Sequence, residues 1–126
     1  MVKILIIEDN NAIRELTAEL LELEGYSTFT ASNGKIGLGQ IRLHLPDLIL
    51  CDIRMPEMDG LTLLQHLGQH PDLKRIPFIF FSSKSEKVDV NRGLDAGADA
   101  YLIKPFDMEE LLASIGKCLS NKRLSK

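Results

Sequence analysis

Five short apolar runs, each followed by a segment of helical period, constrain this chain more than any other feature. Val2–Ile7 is apolar apart from Lys3, as expected of a strand covered on both faces. Ile13, Leu16, Leu20 and Leu23 then recur at helical spacing, with Asn10 and Asn11 as caps and Gly25 as the stop. Tyr26–Ala31 alternates like a strand, and Asn33–Leu45 reads as a helix weakened by Gly37 and Gly39. Leu48–Asp52, Pro77–Phe81 and Ala100–Ile103 complete the strands. The remaining helices fall at Leu61–Leu67 (fading before Pro71), Glu86–Ala96 and Asp107–Leu119. Strands alternating with helices across short loops predict an α/β fold: a doubly wound, five-stranded parallel sheet with five helices.

The 126 residues suit one domain, expected over residues 1–121, with 122–126 as a polar tail or the start of a linker. No apolar run approaches the roughly 18 residues of a membrane span. The first residues lack the length and cleavage site of a signal peptide, so a cytoplasmic location is expected. A net charge of −3 without a Lys/Arg cluster predicts no direct nucleic-acid binding. Cys51 and Cys118 have no metal or redox spacing, and Cys51 reads as a buried apolar residue.

Four of the runs end on polar groups: Glu8-Asp9, Asp52, Ser82-Ser83 and Lys104-Pro105. In a parallel sheet these ends meet at the carboxyl edge, where open α/β sheets form their ligand crevice. A carboxylate there can attack phosphorus and carry a phosphoryl group as an acyl phosphate. Such a transfer needs positioning and charge neutralisation more than covalent help. Glu8, Asp9 and Asp52 form an all-oxygen anionic set suited to Mg2+, Lys104 supplies a compact cation, and Ser82 a hydroxyl donor. Taken singly, each residue has a plainer reading: helix-start acids, a turn aspartate, a solvated strand-end lysine. Together those readings leave crowded acids that raise one another's pKa, which a bound cation would relieve. His66 and His70 lack a third metal ligand. Gly34, Gly37 and Gly39 do not follow the first strand as a dinucleotide loop would. Ser82 has no nucleophile-elbow pattern. Arg54 and Lys84, two residues past Asp52 and Ser82, are cations expected to flank the mouth of the pocket.

Glu8-Asp9, Asp52, Met55-Pro56, Asp59-Gly60, Ser82, Gly97-Ala98-Asp99, Tyr101 and Lys104-Pro105-Phe106 carry a resemblance. Over residues 2–119 the chain resembles the receiver domain of two-component response regulators, of the chemotaxis-regulator type. That resemblance implies the flavodoxin-like strand order 2-1-3-4-5. It implies Asp52 as phosphoacceptor. Asp9, Asp52 and the Arg54 carbonyl would hold Mg2+ directly, with Glu8 acting through water. Lys104 would contact the phosphoryl group after a cis Lys104–Pro105 bond, and Ser82 and Tyr101 would form the switch. The implied partners are a histidine kinase or phosphotransfer protein and a downstream output domain or protein, read on the face of helix four, strand five and helix five. The domain would then be no enzyme, assisting only its own phosphorylation and dephosphorylation. Ala100 and Ser114 depart from the charged dimer pattern of receivers joined to winged-helix DNA-binding domains, which argues against that dimer mode. A different phosphorylation-dependent homodimer stays open. The rival readings are an aspartate-nucleophile phosphatase, disfavoured because Arg54 stands where a second acid is needed, and a receiver-like scaffold that is not phosphorylated.

Overall fold

The computed structural model describes residues 1–83 and 87–124. Its elements run β1 (Lys3–Ile7), α1 (Asn11–Leu23), β2 (Ser27–Ala31), α2 (Gly34–His44), β3 (Leu48–Cys51), α3 (Gly60–Gly68), β4 (Phe78–Ser82), α4 (Lys87–Asp95), β5 (Ala100–Ile103) and α5 (Met108–Leu124). All neighbouring strands pair in parallel, in the order β2-β1-β3-β4-β5. The α/β expectation and the strand order hold.

Strand alternation divides the core into two layers. Leu5, Ile7, Ile49, Cys51, Phe78 and Phe80 project to one face, where Ile41 of α2 and Leu63, Leu64 and Leu67 of α3 cover them. Ile4, Ile6, Leu48, Leu50, Ile79, Phe81 and Leu102 project to the other, beneath Ala18 and Leu21 of α1 and Leu111 and Ile115 of α5. Every residue of β3 and β4 is therefore buried, which explains their unbroken apolar sequence. Helix starts are fixed by side chains: Asn10, Asn33, Asp59 and Asp107 accept from the backbone N–H of Ile13, Ile36, Thr62 and Glu110. Asp99 does an analogous service for a strand, exchanging two 2.8 Å bonds with the backbone of Phe78.

Several boundaries differ from the sequence reading. β3 ends at Cys51, yet the Asp52 N–H still bonds the Ile7 carbonyl at 3.0 Å, so Asp52 extends the ladder by one residue. β2 begins at Ser27, not Tyr26, and α5 continues to Leu124, past the expected end at Leu119. The expected start of α4 at Glu86 lies outside the described residues, as does the end of the polar tail. The two glycines of α2 are not equivalent. A Cβ on Gly37 would fall 2.5 Å from Ile7 Cδ1, so this glycine lets the helix sit close on β1; Gly39 faces open space. Among the described residues no helix is long and apolar enough to cross a membrane.

Candidate functional site

The same alternation that builds the core aims the polar strand ends. Glu8 follows the parity of Ile6, Asp52 that of Leu50, and Lys104 that of Leu102, so all three lean toward the α1/α5 layer at the carboxyl edge. Backbone bonds Glu8 N–H to Ala31 O (3.0 Å) and Lys104 N–H to Ser82 O (2.8 Å) hold them in strand geometry. Glu8, Asp52 and Ser82 are buried.

Lys104 sits between the carboxylates. Its ammonium donates to Glu8 Oε1 and, at 3.2 Å, to Asp52 Oδ2. The second oxygen of Glu8 accepts from the Asn10 N–H at 3.0 Å, while Asp52 Oδ1 accepts from the Ile53 N–H at 2.7 Å. Burial disfavours the ammonium, but the hydrogen bond to Glu8 and the charges of Asp52 and Glu8 outweigh it and hold Lys104 above the ordinary lysine value. Asp9, more exposed, has its carboxyl pushed up by the hydrogen bond with Glu8, by partial burial and by the charge of Glu8. Three carboxylates and one ammonium leave two negative charges, the complement of a divalent cation. Glu8, Asp9 and Asp52 each offer an oxygen, all within 4.8 Å of one another.

The loop from Ile53 to Asp59 joins the end of β3, extended by Asp52, to α3. The Gly60 N–H bonds Ile53 O at 2.8 Å, and a Cβ on Gly60 would fall 2.4 Å from the Asp52 carbonyl oxygen, so this approach requires glycine. Glu57 takes φ 70° inside a turn closed by Met58 N–H on Pro56 O at 2.9 Å. Arg54 is exposed on this loop, whereas Lys84 lies outside the described residues. The Lys104–Pro105 bond is cis.

On the opposite parity, Ser82 hydrogen-bonds Tyr101. The Tyr101 ring packs 6.1 Å from that of Phe80, and a Cβ on Gly93 of α4 would meet both rings at 3.0 Å. Burial raises the Tyr101 hydroxyl pKa, partly offset by the Ser82 bond. The rings of His66 and His70 lie tilted with centroids 4.9 Å apart, and Arg42 lies 3.3 Å from His66 Nε2. They form no group of three metal-ligating side chains, and the acidic cluster is the one such group among the described residues.

Sequence reasoning missed two partners. Arg14 donates to the Glu8 carbonyl at 2.8 Å, and the Lys104 ammonium lies over the Phe81 ring, 4.7 Å from its centroid. Register held the second signal. Ser82 pairs with Ile103, so Lys104 stands opposite the position after Ser82, on the same face as Phe81.

Comparison with known proteins agrees with this fold. The family described as "Response regulator receiver domain" matches residues 4–116. The chain is 42% identical over 113 residues to the transcriptional regulatory protein KdpE of Staphylococcus aureus, covering 90% of this chain and 48% of that protein. It is 39% identical over 115 residues to the DNA-binding dual master transcriptional regulator RpaA of Synechocystis, covering 91% and 48%. It thus spans about half the length of these relatives. Among solved structures, a CheY-like receiver domain protein of Methanospirillum hungatei superposes with TM-score 0.90 at 31% identity, covering 100% of this chain and 99% of that one. The receiver domain of a Syntrophus aciditrophicus histidine kinase gives 0.88 at 38% identity, covering 96% and 92%.

Proposed function

The chain belongs to the response regulator receiver family of two-component systems, and from that premise we propose that it is a switch operated by phosphorylation of Asp52. The donor is the phosphohistidine of a histidine kinase or a phosphotransfer protein. Convergence of Glu8, Asp9, Asp52 and Lys104 at one sheet edge is the observation that carries this reading.

An Asp52 oxygen attacks phosphorus as the P–N bond to the donor histidine breaks, and the histidine nitrogen leaves with the bonding pair. Glu8, Asp9, Asp52 and the Arg54 carbonyl are the residues proposed to hold Mg2+, Glu8 through water. Bound there, Mg2+ would neutralise charge on the phosphoryl oxygens. Lys104 exchanges Asp52 Oδ2 for a phosphoryl oxygen, and the Ser82 hydroxyl donates to another. Moving Ser82 alters its bond with Tyr101, and the change passes to the face of α4, β5 and α5. There Val88 is exposed, and Gly93 lowers the helix propensity of α4 while seating it closely on the Phe80 and Tyr101 rings, so that a movement of Tyr101 is felt by α4. An output domain or partner protein reads that face. The location in this reading is cytoplasmic, and the domain turns over no substrate of its own. The phosphatase alternative gains nothing from the site, since exposed Arg54 replaces the second acid.

Intact-mass spectrometry tests the assignment. Acetyl phosphate with Mg2+ should add one phosphoryl group to the wild type and none to Asp52→Asn. Equal labelling of that variant would overturn it.

A further inference from the structure

We propose that Phe81 is a positioning residue for Lys104, its ring face holding the ammonium at the acidic cluster while leaving it free to change partners. This rests on the reading of Asp52 as phosphoacceptor. Lys104 Nζ lies 4.7 Å from the Phe81 ring centroid, in cation–π range. The ring is fully buried at the end of β4, and the Phe106 ring packs against it T-shaped at 6.0 Å. The lysine side chain itself is 18% exposed, so the contact is largely desolvated, where such an attraction is strongest.

Lysine is a flexible four-carbon stem with three rotatable donors. Glu8 and Asp52 take up donors here, and both are proposed to change state during function: Asp52 becomes an acyl phosphate, and Glu8 faces a cation through water. A third carboxylate or a carbonyl in place of the ring would bind the ammonium directionally and compete with a phosphoryl oxygen. The ring is uncharged and attracts through its whole face, so the ammonium can slide from Asp52 Oδ2 to a phosphoryl oxygen without leaving it. An aliphatic side chain of similar volume would fill the core but supply no such hold.

The test replaces Phe81 with mono-, di- and trifluorinated phenylalanine, which nearly preserve shape while draining negative charge from the ring face. Phe81→Leu serves as the reference without a ring. The first readout is the proton shift of the Lys104 ε-methylene in metal-free, unphosphorylated protein. A side chain over the ring is displaced upfield, and Phe81→Leu should abolish the displacement. The second is the rate at which acetyl phosphate labels Asp52, which should fall progressively along the fluorinated series, by about threefold to tenfold in all. Absence of the upfield displacement in the wild type, or a flat labelling rate across the series, would overturn the proposal. Failure of the wild type to label at all would refute the phosphoacceptor reading instead, and the methylene shift would still decide whether Phe81 holds Lys104.

Discussion

Under the proposed reading, Mg2+ should raise the stability of the folded domain, and Asp9 should govern how much. The metal-free cluster carries two uncompensated negative charges, because Lys104 offsets one of three carboxylates. A ligand that binds only the native state stabilises by mass action, so Mg2+ at about ten times its dissociation constant adds about 1.4 kcal/mol. Unfolding entropy of about 2.1 cal/mol/K per residue over 126 residues converts this to a rise in Tm of about 5 °C. Asp9→Asn removes one ligand charge. If affinity drops about tenfold, the same Mg2+ concentration adds only about 0.4 kcal/mol, a rise of under about 2 °C.

The metal-free baselines should move the other way. The Asp9 carboxyl is raised above its ordinary 3.8, first by the Glu8 hydrogen bond. A group raised in the folded state contributes stability below its unfolded pKa and loses that contribution as pH rises through the folded value. Asp9→Asn should therefore match the wild type in acid and exceed it at neutral pH. The excess is limited to about a few tenths of a kcal/mol because Asp9 is largely solvated. Thermal unfolding with and without Mg2+ at several pH values measures both effects. A wild-type Tm unmoved by millimolar Mg2+ would refute the metal site, and equal shifts in the two proteins would remove Asp9 from it.

Two further outcomes are expected. Gly39→Ala, in open space within α2, should stabilise the domain by about 0.5–1 kcal/mol in urea unfolding, whereas Gly37→Ala, whose Cβ would press on Ile7 Cδ1 at 2.5 Å, should destabilise it; equal effects would contradict the packing of α2 on β1. In a Tyr26→Phe background, the phenolate absorbance should report Tyr101 titrating above 10.0, with native stability falling as pH rises through that midpoint; a midpoint at or below 10.0 would mean the ring does not occupy its inward place beside Ser82.

Fold and site were legible in the sequence to different depths. Apolar runs marked β1, β3 and β4 because central strands are covered on both faces, and Asn10 marked a helix start by a local mechanism. Periodicity alone gave no strand order, which came with the family resemblance. The end of α5 expected at Leu119 falls too early: the helix runs on through exposed Ser120 and Asn121, where no glycine or proline stops it. Composition flagged Gly37 and Gly39 alike as weak points, yet only Gly37 has a neighbour that explains it. Convergence of Glu8, Asp9 and Asp52 was readable from strand ends, whereas the Lys104 contacts depend on register between β4 and β5. The pairing of Ser82 with Tyr101 came only with the family resemblance, because two residues on neighbouring strands carry no joint mark in the sequence.

The placement of Lys104 also bears on why crowded acids are tolerated in the resting domain. A strand-end lysine aimed at solvent would leave Glu8, which is 1% exposed, as a buried uncompensated anion, an arrangement costing several kcal/mol. With Lys104 on both Glu8 and Asp52, the domain can fold before any metal arrives, and two negative charges remain to attract one. A bound divalent cation would bring the cluster to neutrality, and an acyl phosphate of about two negative charges would then return it to one. Without the lysine, each of these states would be one charge more negative, and the phosphorylated state would suffer most from the added repulsion. Under the proposed reading, Lys104 therefore stays in the cluster through every state and gives up Asp52 Oδ2 in one of them. A partner that holds a cation without claiming a particular donor satisfies both demands, and the Phe81 ring is in position to be that partner.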